Sequence, residues 1–148
     1  MRVRPAGGHE GERLREIAIA AKSHWGYDRE RVESWAADGD FSAGGLRAKH
    51  AVVAEVDGRV VAWAGLIPNG ETCWLDDLWV EPAWMGRGVG SALFRRAAEQ
   101  AAGLGCTTME WEAEPHAVGF YERMGARFVR DGEPSAWGRV NPVLGTEL

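Results

Sequence analysis

The chain has 148 residues and a mass of 16.2 kDa, enough to bury a core without metal or disulfide staples. Hydrophobic residues make up 45% and charged residues 26%, the balance of a folded soluble protein rather than a disordered one. With 17 basic side chains against 22 acidic ones the net charge is −5, which argues against a nucleic-acid scaffold.

The opening residues, Met1 to Gly8, lack the apolar run of a secretory leader, and no stretch approaches the roughly 20 apolar residues that span a bilayer. From Glu10 to Ser23, Leu14, Ile17, Ala18 and Ala21 fall at helical spacing with charges between them, which predicts an amphipathic helix. Ser23-His-Trp-Gly-Tyr27 is an aromatic loop, and Asp28 is the natural N-cap of a second helix presenting Val32, Trp35 and Ala36. Phe41 to Lys49 carries Gly44-Gly45 and no period, so it reads as loop.

Ala51–Val56 and Val60–Ile67 are rich in β-branched residues and flank Asp57-Gly58, a two-residue hairpin signal. A turn at Asn69-Gly70 leads into a third strand, Cys73–Val80, completing an antiparallel meander. After Pro82 come a glycine-rich loop and a helix from about Val89 to Ala102, closed by Gly103 and Gly105. Thr107–Glu112 is a further strand, Pro115 opens a helix through Met124, and Ala126–Val129 and Val140–Leu144 are two last strands. The strand–helix–strand unit predicts a right-handed parallel crossover. The fold class is therefore mixed α/β, one domain over residues 1–148, with helices on both faces of a mixed sheet.

The segment Leu78-Trp-Val-Glu-Pro-Ala-Trp-Met-Gly-Arg-Gly-Val-Gly-Ser91 carries the chemistry. Gly86, Gly88 and Gly90 let a ligand approach backbone N–H groups, the helix N-terminus adds about half a positive charge, and Arg87 adds a whole one. This is an anion cradle suited to a phosphate or pyrophosphate. No Lys follows the glycines, as a P-loop requires, and Ser91 stands where the third glycine of a dinucleotide fingerprint belongs.

Met85-Gly-Arg-Gly88-Val-Gly90, behind the turn Val80-Glu-Pro82, resembles the acetyl-coenzyme A signature of the GNAT N-acetyltransferase superfamily, [RQ]-x-x-G-x-[GA], with Met85 in place of the usual Arg or Gln. Ala117-Val-Gly-Phe-Tyr-Glu-Arg-Met-Gly-Ala126 resembles the second signature of that family, A-x-x-F-Y-x-x-x-G-F, with Ala126 at its last position. The resemblance implies the GNAT fold, a mostly antiparallel sheet with one splayed parallel pair. It also implies acetyl-coenzyme A as cosubstrate and a primary amine of a small molecule or peptide as acceptor. Its cosubstrate residues carry over to Leu78, Trp79, Val80, Met85, Gly86, Arg87, Gly88, Val89, Gly90, Ser91, Phe120 and Tyr121.

Transfer of an acetyl group to an amine needs a neutral amine, donors for the oxyanion and a proton for the thiolate. The resemblance assigns the donors to the backbone around Leu78 and Val80 and the thiolate's proton to Tyr121; packing is the other role open to that ring. Glu112 is the first candidate for the base, with His116 and one of Asp76 and Asp77 as alternatives, since adjacent strand residues face opposite sides. No cysteine lies in either signature, which favours direct attack in a ternary complex over an acyl-enzyme. His9, His24 and His50 show no metal spacing. Cys73 and Cys106 come close as neighbouring strands begin, yet remain thiols in a cytoplasmic chain. Trp25, Tyr27 and Trp35 fit either helix packing or a cation pocket, and Val143, Leu144 and Trp137 mark an apolar edge for a homodimer. A module that binds acyl-coenzyme A without transferring from it is the alternative to an enzyme.

Overall fold

The computed structural model describes residues 1–148. The meander forms as expected. β2 (Val52–Val56) turns at Asp57-Gly58 into β3 (Arg59–Asn69), which turns at Gly70 into β4 (Thr72–Val80), all antiparallel. From β4 the chain crosses through α4 (Val89–Gly103) to β5 (Thr108–Glu112), and β4 and β5 pair in parallel, as a crossover connection requires. β6 (Arg127–Asp131) lies at the sheet edge and β7 (Pro142–Glu147) returns between it and β5. One further strand, β1 (Arg2–Pro5), pairs with β2 and completes a seven-stranded sheet in the order β1-β2-β3-β4-β5-β7-β6.

Helices cover both faces. On one, Leu93, Phe94, Ala97 and Ala101 of α4 pack on Val52, Ala54, Ala62, Ala64 and Leu66, alternate residues of the meander. On the other, Leu14, Ile17 and Ala18 of α1 (Gly11–Ser23) pack on Val53 and Trp63. The Trp63 indole N–H donates to the Leu14 carbonyl at 2.9 Å, so this large ring is buried with no polar group left unpaired. α2 (Arg29–Ala37) begins as expected at Asp28, whose carboxylate accepts from the Arg31 N–H, and it packs Val32 and Ala36 against Ile19 of α1.

Four expectations need correcting. The segment read as loop from Phe41 holds α3 (Ala43–Ala48), because the Ser42 hydroxyl accepts from the Gly45 N–H and Leu46 is buried; two glycines do not outweigh a cap and a core anchor. β1 carries no alternating apolar pattern in the sequence, since Val3 stands between two arginines and ahead of Pro5, as edge strands allow. The helix read from Pro115 is instead a single 3-10 turn over Pro115–Ala117 followed by α5 (Val118–Arg123). Val143 and Leu144 are not an exposed edge but core, since β7 is flanked on both sides; Phe128 and Val140 are the exposed apolar side chains there. Cys73 and Cys106 are buried free thiols, and burial, then the neighbouring Cys106 sulfur, pushes the Cys73 thiol up to about 12.

Candidate functional site

β4 and β5 hydrogen-bond only where Thr72–Trp74 face Thr108–Glu110. Beyond that, β4 stays with β3 as far as Val80 and β5 stays with β7 as far as Glu112. The strands diverge, and the edge of β4 facing the gap carries backbone groups with no ladder partner. A cleft of about 570 Å³ opens from this split and runs to the glycine loop.

At its α4 end the backbone does the work. Gly88 caps the helix at φ 83° and Gly86 sits at φ 73°, a region that strains any residue with a Cβ. The first backbone bond of α4 runs from the Ala92 N–H to the Gly88 carbonyl, and no side chain caps the helix. The N–H groups of Val89, Gly90 and Ser91 therefore have no acceptor in the chain, and the helix dipole adds to their positive field. A Cβ built on Gly86 or Gly88 would meet nothing within 4 Å, so the space above the cradle is open. This end fits a pyrophosphate. Met85, Gly86, Gly88, Gly90 and Ser91 line the cleft, while two expected contributors differ in part. The Val89 side chain is core, leaving only its N–H to the site, and the Arg87 guanidinium lies over the Trp84 ring at 5.0 Å rather than in the cleft.

Where the cleft reaches the strand split, two donors lack acceptors. Tyr121 lines the cleft yet is only 7% exposed, its ring 5.0 Å from that of Trp111, and its hydroxyl makes no hydrogen bond within the chain. Burial holds its pKa well above the ordinary phenol value, so it is a protonated donor at neutral pH. The Trp111 indole N–H is also buried without a partner. A thioester and its leaving sulfur suit such a place, because every group they need there is a donor. Leu78, Trp79, Val80 and Phe120 supply the apolar walls.

The opposite end is built from side chains. Glu112 lines the cleft, exposed and without an ion pair. Asp76 lines it too and Asp77 is buried, but the expected opposition of the two fails. The β3–β4 register shifts between Gly65 and Leu66, and this bulge leaves both carboxylates on one side of β4, with only Asp76 reaching the cleft. Both meet Lys49, whose ammonium lies 2.8 Å from each carboxylate. Burial works against the Lys49 charge, but the two aspartates outweigh it and raise its pKa. Burial raises that of Asp77 as well, against the pull of Lys49. Gly65 makes room for this pair, since a Cβ there would stand 2.8 Å from an Asp77 oxygen. Asp76 and Asp77 are thus tied up in a structural ion pair.

Sequence reading missed Glu114. Its carboxylate accepts from the Tyr27 hydroxyl at 2.8 and 2.9 Å and lies 2.7 Å from His116 Nδ1. Arg139 in turn bonds Tyr27. Trp25 stacks on the His116 ring with centroids 4.9 Å apart and planes within 3°. Above them, Lys22 Nζ sits among Trp35, Trp137, Tyr27 and Trp79, at 4.6, 5.0, 5.6 and 5.8 Å from the ring centroids. Of the three expected aromatics, Tyr27 and Trp35 join Trp79 and Trp137 around a cation that is the chain's own, while Trp25 packs on His24 and His116. Burial lowers the Lys22 pKa, with Glu114 opposing.

A model of the acetyltransferase (GNAT) family matches residues 12–126. Thialysine N-epsilon-acetyltransferase from Sus scrofa is 32% identical over 70 residues, which cover 44% of this chain and 40% of that protein. The chain thus aligns with less than half the length of that curated relative. Among solved structures, a GCN5-related N-acetyltransferase from Rhodopseudomonas palustris superposes with a TM-score of 0.81 at 22% identity, covering 99% of this chain and 95% of that one. The PaiA N-acetyltransferase from Thermoplasma acidophilum, solved with coenzyme A, gives 0.81 at 16% identity, covering 99% and 98%. The ribosomal-protein-S18-alanine N-acetyltransferase from Escherichia coli gives 0.73 at 15%, covering 99% and 92%. At these identities the structures share the fold.

Proposed function

Because the chain belongs to the acetyltransferase (GNAT) family, we propose that it moves an acetyl group from acetyl-coenzyme A to a primary amine by direct attack in a ternary complex. The observation that carries this reading is one continuous cleft. It joins the open N–H cradle of α4 to the split between β4 and β5, with the unpartnered Tyr121 hydroxyl at the junction. The loop Met85–Ser91 would hold the pyrophosphate, and the free edge of β4 from Leu78 to Val80 the pantetheine and acetyl groups. Tyr121 donates a proton to the departing thiolate. Glu112, facing the same cleft without a partner, draws the ammonium form of the acceptor inward. The similar proteins act by name on thialysine and on a ribosomal-protein alanine, which supports an amine of a small molecule or peptide as acceptor. Thiol release measured over an amine library with acetyl-coenzyme A tests the reading. Turnover with at least one amine is expected, and its absence across the library would overturn it.

Met85, in place of the Arg or Gln of the signature, favours a second reading as a module that binds acetyl-coenzyme A without transferring it. Calorimetric binding with no thiol release would establish that reading. The two buried thiols fit a reducing, cytoplasmic compartment, and the exposed Phe128 on the edge strand β6 supports a homodimer, which sedimentation at micromolar concentration tests.

A further inference from the structure

The contacts around His116 define more than its place on the cleft wall. Glu114 and His116 flank Pro115 in the 3-10 turn that follows β5, which brings Glu114 Oε1 to 2.7 Å from His116 Nδ1. The carboxylate is held in turn, since the Tyr27 hydroxyl donates across both of its oxygens. The ring plane is fixed by a second contact, the flat stack of Trp25 at 4.9 Å and 3°. Glu114, His116 and Trp25 all line the cleft, together with Tyr121 and Glu112. An ionised carboxylate can only accept, so Nδ1 must be the donor, and a neutral imidazole in this position keeps its lone pair on Nε2. A base held by a carboxylate on one nitrogen and free on the other recurs wherever proteins move protons from nucleophiles.

We infer that His116, oriented by Glu114 and Trp25, is the general base that takes a proton from the acceptor ammonium in the transfer reaction proposed above. Glu112, with nothing to orient it, is then an electrostatic partner rather than the base. The step balances as follows. One ammonium proton passes to Nε2, forming an imidazolium paired with Glu114. The neutral amine attacks the thioester carbonyl carbon, a C–N bond forms and the C–S bond breaks. The thiolate takes the Tyr121 proton, the second nitrogen proton restores Tyr121, and the third stays on the amide. The charged and titratable groups facing this site are Glu114, Tyr27, Glu112, Tyr121, Asp76 and Arg123, with His24 beside Trp25 and with Arg139 and Lys22 behind Tyr27 and Glu114.

The inference rests on the acetyltransferase reading, so the test carries a readout that does not depend on turnover. With an amine from the library, His116→Gln should lower kcat/KM by roughly 10²-fold at pH 7, the low end of a lost general base. The acetyl-coenzyme A affinity should be unchanged. The deficit should narrow as pH rises toward the amine's own pKa, where the acceptor arrives neutral. Glu114→Gln should cost about tenfold, since it removes orientation and leaves the base. Nitrogen-15 spectra of the imidazole should show Nδ1–H with a bare Nε2 in the wild type and a mixture of tautomers in Glu114→Gln. A wild type carrying its proton on Nε2 would overturn the dyad whatever the activity. Turnover of His116→Gln within about threefold of wild type, with an unchanged pH profile, would overturn His116 as base and leave the acetyltransferase reading standing. A wild type that acetylates no amine would overturn both.

Discussion

The wall formed by Val80, the Met85–Ser91 loop and Phe120 meets a ligand with backbone N–H groups and apolar surface. The facing wall, formed by Trp25, Trp79, Glu114 and His116, meets it with side chains. Apart from Phe120 of α5, the first is one short contiguous stretch backed by the core packing of α4, so its shape survives most changes elsewhere. The second is gathered from the loop after α1, from β4 and from the turn after β5. It is roofed by the segment that carries Trp137 and Arg139, and Tyr27 and Arg139 are 112 residues apart in sequence. A wall of backbone suits a cosubstrate that never changes, and a wall of side chains suits an acceptor that differs from one protein to another. If this division is right, substitutions on the two walls should separate cosubstrate binding from acceptor use.

The largest effect should come where the walls meet. Tyr121→Phe removes one oxygen and keeps the ring against Trp111 and Phe94, so packing and acetyl-coenzyme A affinity should survive while kcat falls by roughly 10²–10⁴-fold. Steady-state kinetics with an accepted amine checks it, and a rate within about threefold of wild type would return Tyr121 to a packing role. On the backbone wall, Gly88→Val forces a β-branched residue into φ 83° and puts methyl groups where the ligand must lie. We expect calorimetric affinity for coenzyme A to weaken by at least about 100-fold, with the circular dichroism spectrum unchanged. Undiminished affinity would displace the pyrophosphate from this loop.

The same division explains how far sequence reading carries. The meander, the crossover and the glycine cradle are local: a hairpin pair, a helical period and glycines on alternate positions each lie within some 15 residues, and all appear in the structure where the pattern puts them. The tying up of Asp76 and Asp77 was not legible, because Lys49 belongs to a segment that reads as loop and reaches them only across β3. Glu114 gave a fainter trace: a carboxylate two residues before a histidine, with proline between, fixes a turn but does not reveal that Tyr27 will hold it. Lys22 showed only as a charge on an amphipathic helix, since three of the rings around it lie beyond the helix that carries it and the next loop.

Lys49 allows a test of the acceptor side that reads stability rather than activity. Lys49→Met leaves two carboxylates without their cation, one of them buried. Removing one partner of a buried pair costs about 3–5 kcal/mol, and the partial exposure of Lys49, 23% of its side chain, reduces this to roughly 2 kcal/mol in urea unfolding at pH 7. The sign of the pH dependence follows from Asp77. Burial raises its pKa in the folded state, so its contribution to stability is greatest below its unfolded pKa and is lost as pH rises through the folded value. The deficit of the Met variant should therefore shrink on acidification from pH 7 to pH 5, and Asp77→Asn in the same background should recover part of it. A deficit independent of pH would mean that Lys49 acts by packing alone.

The smallest effect, and the sharpest separation of the walls, should come from Lys22. Its ammonium costs desolvation, which lowers its pKa, yet it gains from rings at 4.6 to 5.8 Å, each desolvated contact of this kind contributing about 0.5–2 kcal/mol. A depressed lysine pKa means that stability is lost as pH falls through the folded value, so at neutral pH the charge is a cost that the rings offset. Lys22→Met keeps the length and fills the cage without the charge. Cost and gain then vanish together, and we expect global stability to change by less than about 1 kcal/mol. What does not cancel is position. The ammonium draws α2, Trp79 and the Trp137 segment to one point above Glu114, and a thioether attracts those rings less directionally. The roof should loosen over the acceptor and not over the glycine loop. The acceptor KM should rise about three- to tenfold, with kcat nearly unchanged and the coenzyme A affinity within twofold of wild type. An equal loss on both substrates would show that the two walls move as one body, and an unchanged KM would show that the caged lysine holds nothing the acceptor touches.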